Sequence, residues 1–107
     1  MVSRDSIQKY ADDIARAFRP EKVLLFGSHA CDQATEDSDV DLMVVMDFRG
    51  NALEQAFRIR DRLEHPGFPL DLLVRSPREI ERRRAMGDFF IGEILDRGQL
   101  LYAGAHR

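Results

Sequence analysis

Apolar positions early in the chain recur at helical spacing. Ile7, Tyr10, Ala11, Ile14, Ala15 and Phe18 fall on one stripe. The stripe predicts an amphipathic helix from about residue 4 to 18, with Ser3 as N-cap and Pro20 just beyond its end. Tyr10 on that stripe reads as packing. The period then changes. Val23-Leu24-Leu25-Phe26 is an unbroken apolar run, as expected of a central strand from Lys22 to Phe26 buried on both faces. A short helix or turn from Ser28 to about Ala34 and a polar loop from Thr35 to Ser38 follow. The next strand sends Val40, Leu42 and Val44 to one face and Asp39, Asp41, Met43 and Val45 to the other.

After a turn from Asp47 to Asn51, Ala52, Ala56, Ile59 and Leu63 make a second helical stripe, widened by Leu53 and Phe57. Arg58, Arg60 and Arg62 ride on this helix and cannot all share one face. His65-Pro66-Gly67 ends it, and Leu70 to Val74 forms a third strand. Ser76-Pro77-Arg78-Glu79 has a capping-box pattern with Pro at the first helical position. That helix carries Ile80 and an exposed polar tail, Glu81-Arg82-Arg83-Arg84. Gly87-Asp88 interrupts it. A new amphipathic segment presents Phe89, Phe90, Ile91, Ile94 and Leu95; the aromatic pair reads as core, or in part as facing a partner, since a domain this small has limited interior. Gly98 suits its C-terminal cap, and Leu100-Leu101-Tyr102 reads as a short edge strand.

Composition narrows the class. The chain has 107 residues, 44% apolar and 33% charged, which describes one soluble globular domain over residues 1–107. The apolar runs are too short to span a bilayer and no signal segment opens the chain. One cysteine, Cys31, excludes an internal disulfide and suits a reducing cytoplasm; it reads as a small buried or half-buried side chain. Net charge is −3, so bulk electrostatics do not favour direct nucleic-acid binding. His65 and His106 have no metal-ligand spacing with each other or with Cys31. His29 follows Ser28 directly and reads equally as a group touching a phosphate or partner and as a solvent-exposed side chain.

The chemistry gathers in two places. As strand residues, Asp39 and Asp41 share a face with Cα atoms roughly 6.5–7 Å apart. Carboxylates that close repel unless a cation intervenes, and carboxylate oxygens with water and substrate phosphates are what Mg²⁺ prefers. Gly27 removes a side chain where backbone must approach something closely, and Ser28 offers a hydroxyl and an amide to a phosphate. Solubilising charges at a strand start explain one Asp easily. They do not explain Asp39, Asp41 and Asp71, on a third strand, together with Gly27-Ser28.

Gly27-Ser28-His29-Ala30-Cys31-Asp32, followed by Ser38-Asp39-Val40-Asp41-Leu42, resembles the signature of minimal nucleotidyltransferases of the DNA polymerase beta superfamily. The likeness covers nearly the whole chain. It implies an α+β fold, a small mixed β-sheet flanked by helices. It also implies Asp39, Asp41 and Asp71 as catalytic metal ligands, Gly27-Ser28 as the nucleotide seat, Mg²⁺ as cofactor and ATP as donor. The family's second glycine is here Asp32, a tolerated substitute at a left-handed helix end that adds a negative charge near the phosphate site. A bare domain of this kind resembles the antitoxin half of toxin–antitoxin pairs, whose partner is a helical HEPN-type ribonuclease toxin. In those pairs neutralisation proceeds by complex formation, by attaching AMP to a toxin tyrosine, or both. Two other readings stand beside an adenylyltransferase: a binding module acting by occlusion, and the nucleotide-binding subunit of a small-molecule transferase.

Overall fold

The structure, a computed structural model, describes residues 2–104; His106 lies outside the described residues. Helix α1 spans Arg4–Phe18, where Ser3 caps the N-terminus by accepting from the Ser6 amide at 3.1 Å. It buries Ile7, Tyr10, Ala11 and Ile14, the periodic stripe of the sequence. Strand β1 (Lys22–Phe26) is followed by a single 3₁₀ turn at Ser28–Ala30, then β2 (Val40–Val45) and α2 (Ala52–Arg62). The chain continues through β3 (Leu70–Arg75), α3 (Pro77–Ala85), α4 (Phe89–Arg97) and β4 (Gln99–Ala103).

The four strands form one mixed sheet in the order β3-β2-β1-β4. β1 pairs antiparallel with β2 and β4, while β2 and β3 run parallel with α2 as their crossover. The unbroken apolar run of β1 is explained by its central place, and β4 is the edge expected from Leu100 to Tyr102.

Strand alternation divides the interior. Val23, Leu25, Val40, Leu42, Val44, Leu72 and Val74 join α1 and α2 in the larger core. Leu24, Met43 and Val45 face the other way and pack on Ile91 and Ile94 of α4. This second layer is smaller, built from two nine-residue helices. The β2 face that carries Met43 and Val45 therefore runs out from under its cover toward Asp41. Tyr10 is packed edge-on to Phe68 with ring centroids 6.2 Å apart, and burial raises its phenol pKa.

Several sequence expectations need correction. The short helix or turn expected from Ser28 to about Ala34 is a 3₁₀ turn over Ser28–Ala30 only. Phe89 is 79% exposed and Phe90 49%, so the aromatic pair is not core: Ile91 and Ile94, three apart, take the sheet-facing positions. Leu53 and Phe57 are likewise exposed, because α2 turns Gln55, Ala56 and Ile59 inward. Cys31 is exposed, and His29 is 7% exposed, so it is not a solvent-facing side chain. Ser76 accepts from the Glu79 amide at 3.1 Å, but the Glu79 carboxylate turns to Arg82 and Arg83 at 2.5 and 2.8 Å. These two guanidinium groups hold Glu79 at a pKa of about 2. The reciprocal capping box occurs instead at Asn51 and Glu54.

Candidate active site

Asp41 is opposite Asp71 in the parallel β2–β3 register, so the two carboxylates stand side by side on strands about 4.8 Å apart. Asp39 precedes β2 by one residue and shares their side of the sheet, two residues before Asp41. Burial raises the Asp41 pKa first, and the charges of Asp71 and then Asp39 raise it further, offset in part by His29. None of the three carboxylates has a hydrogen bond or ion pair with a described residue. Solubilising surface charges would have no reason to crowd this way.

Gly27 closes the group from β1. Phe26 pairs with Asp41 in the β1–β2 ladder, and the next residue, Gly27, turns with φ +77 and ψ −156. A Cβ there would collide with the Asp41 carboxylate, its Cγ lying 3.1 Å away. The glycine is thus required twice, for its backbone and for the space it leaves to Asp41.

The turn after Gly27 is held from three directions. Arg4 of α1 donates to the His29 carbonyl at 3.4 Å and pairs with the Gln99 side chain, which donates to the Ala30 carbonyl at 2.6 Å. The His29 ring nitrogen donates to the Ser38 carbonyl at 3.4 Å, tying the turn to the loop that delivers Asp39. His29 thus positions the site from within the protein, a role its place beside Ser28 did not reveal. The turn ends through Asp32, whose φ is +58: the left-handed conformation expected of a residue standing for glycine. Asp32→Gly should leave the fold intact and raise the urea midpoint modestly, by up to about 1 kcal/mol of stability. A lowered midpoint would show that the Asp32 side chain contributes a favourable contact.

A cleft of about 530 Å³ opens beside this cluster, within the size range of small-molecule sites. Gly27, Ser28 and Asp41 line one wall, and α4 supplies the other through Phe90, Glu93 and Arg97. Asp39 and Asp71 are not in the lining, so the structure places Asp41 at the boundary between cleft and carboxylate cluster. The α4 residues were missed in the sequence because the segment was read for its apolar side only. The 90, 93, 97 spacing was nevertheless visible as a helical stripe. A second hollow of about 590 Å³, lined by Asp12, Arg16, Arg19 and Tyr102 among others, contains none of the sequence-identified site residues.

The oxygen-only donor set suits a hard divalent cation such as Mg²⁺. Among the described residues no three His, Cys, Asp or Glu side chains form a ready-made metal cage. Mg²⁺ is commonly held by one or two carboxylates together with substrate phosphates, and the carboxylate chemistry of Asp41 and its neighbours is compatible with that.

No helix among the described residues is long and apolar enough to cross a membrane. No curated protein matches the sequence. A solved structure of a nucleotidyltransferase candidate from Sulfolobus solfataricus is similar in fold, with a TM-score of 0.56 and 21% identity over 73% of this chain and 70% of that one. Residues 7–101 match the nucleotidyltransferase domain family, a span that holds Gly27, Ser28 and all three aspartates. By that match, and by a sheet that presents these residues together at one end, the chain belongs to the nucleotidyltransferase domain family.

Proposed function

We propose that the protein is a metal-dependent nucleotidyltransferase that moves AMP from ATP to a hydroxyl of a partner protein, in the cytoplasm. The partner would be a helical HEPN-type ribonuclease toxin, neutralised by the modification. The observation that supports the chemistry best is the register of Asp41 with Asp71 beside the side-chain-free Gly27.

Asp39 and Asp41 would hold Mg²⁺ on the triphosphate, and Asp71 would complete a second metal position. A metal held by these carboxylates would supply positive charge to offset the negative charge of the phosphates. Ser28 offers its hydroxyl and amide to the outer phosphates. Asp71, on the exposed side of the cluster, accepts the proton of the incoming hydroxyl. That oxygen attacks the α-phosphorus, the bond to the bridging oxygen breaks, and pyrophosphate leaves. The raised pKa of Asp41 fits the same scheme, since a group of crowded carboxylates is relieved by a cation.

The test incubates the purified protein with its candidate partner and Mg·ATP, then weighs the partner. An added AMP, lost in Asp71→Asn while ATP binding persists, is expected. An unmodified partner that is still inhibited by an Asp39→Asn, Asp41→Asn double variant would leave neutralisation by occlusion as the function.

A further inference from the structure

We propose that the outer stripe of α4 is the second wall of the nucleotide site, with Arg97 taking a phosphate of the donor and Phe90 stacking on its base. This rests on the nucleotidyltransferase reading of the cleft, and it concerns residues outside the motif that suggested that reading.

Three observations converge on α4. The first is charge. Among the described residues lining the cleft, Arg97 is the sole cation, and the acidic members are Asp41 and Glu93. A triphosphate entering there meets one guanidinium from the chain, and a guanidinium binds phosphate oxygens in a bidentate fork.

The second is that Arg97 is uncommitted. It has no hydrogen bond or ion pair with a described residue. Glu93 stands four residues earlier, in the favourable order for a helical ion pair, yet the two are not paired. Elsewhere on the surface, Lys9 pairs with Asp13 and Arg83 with Glu79 at that same spacing. A ligand can therefore engage Arg97 without breaking a hydrogen bond or ion pair to a described residue.

The third is the aromatic pair. Phe90 meets Phe26 edge to face, with centroids 5.8 Å apart and rings inclined at 84°, and both line the cleft. Phe26 is the residue before Gly27 and pairs with Asp41 in the ladder. The pair thus joins the phosphate end of the cleft to α4. Phe90 keeps 49% of its surface exposed beside Phe26, so part of its ring is open to a ligand in the cleft. A base stacked there would cover it, and because every base has a π-face, stacking does not select among them.

Equilibrium binding of Mg·ATP and of Mg·tripolyphosphate, which has the phosphates without base or ribose, tests the assignment on the whole protein. Arg97→Gln should weaken both ligands about 10-fold. Phe90→Ala should weaken ATP about 10-fold and leave tripolyphosphate unchanged. Phe90→Leu, which keeps apolar bulk over Phe26 without an aromatic face, should behave as Phe90→Ala does and guards against a packing defect. Variants that bind ATP as tightly as wild type would overturn the assignment of α4 while leaving the nucleotide site standing. Equal loss of both ligands in Phe90→Leu would overturn the stacking role. Wild-type protein that binds neither ligand would refute the nucleotide site itself.

Discussion

Asp41→Asn should sharply reduce nucleotide transfer and, in the same protein without metal, raise the thermal midpoint. The two effects have one cause. Asp41 is partly buried against Gly27 and faces Asp71 and Asp39, and its pKa is raised for those reasons. The folded state therefore binds this proton more tightly than the unfolded chain does, so ionisation of Asp41 opposes folding. The penalty is absent below the ordinary carboxylate range, grows as pH rises through the folded pKa, and is fully present at neutral pH. Asparagine keeps the shape and removes the charge. In chelator at pH 7 the variant should melt a few degrees higher than wild type, and the gap should close as pH falls below the carboxylate range. Transfer to the partner should drop by about 10²-fold or more, the scale expected when a group that stabilises transition-state charge is removed. Mg·ATP should raise the wild-type midpoint by mass action and leave that of Asp41→Asn nearly unchanged. A variant less stable than wild type in chelator at pH 7 would mean that the Asp41 charge is favourably engaged in the fold. Full transfer activity would remove Asp41 from the chemistry.

The same strand shows how far sequence alone could go. Alternation along Val40–Val45 was legible, and it separates Asp41 from the residues of the larger core because strand periodicity leaves only two faces. Helix α1 was legible to the residue, since its stripe, its Ser3 cap and Pro20 all agree. Asp32 was legible because few residues other than glycine accept a positive φ. What failed was burial on short elements. Phe89 and Phe90 are hydrophobic enough for a core, but a nine-residue helix offers the sheet one narrow face, and Ile91 and Ile94 occupy it. Phe57 on α2 fails for the same reason, displaced by Gln55, whose buried amide donates to the Met46 sulfur at 3.6 Å and whose carbonyl accepts from Arg58 at 2.8 Å.

The carboxylates that the structure brings together were legible in the sequence, and the cleft wall beside them was not. Asp41 and Asp71 come from strands, where spacing dictates the face, and Asp39 stands one residue before β2. That Asp41 and Asp71 are opposite each other depends on the β2–β3 register, which nothing local to either strand announces. His29 was ambiguous because its neighbours in sequence say nothing of Ser38, nine residues on, to which its ring donates. Arg97 was passed over because a basic residue in the last turn of a helix has an ordinary reading, compensation of the helix dipole. Only the cleft gives it another.

Gly27→Ala should damage the site more than the fold, and a second glycine supplies the control. Gly27 sits at φ +77, ψ −156, a region almost confined to glycine, so alanine there costs about 1–3 kcal/mol in backbone strain alone. The added methyl also falls on the Asp41 carboxylate. Either that carboxylate moves or the turn carrying Ser28 does, and each separates groups that must act together. A displacement of about 1 Å in such a site costs about 10²-fold in rate. Gly67 has a similar φ of +82, but a Cβ there meets nothing within 4 Å. Gly67→Ala should therefore lose stability through its backbone while retaining transfer activity. Urea midpoints of the two variants, measured beside AMP transfer to the partner, separate strain from collision. The expected pattern is a stability loss in both and an activity loss, about 10²-fold, in Gly27→Ala alone. Equal activity in the two variants at a temperature where both are folded would show that the close approach of Gly27 to Asp41 is incidental, and the phosphate seat would have to be sought elsewhere along the cleft.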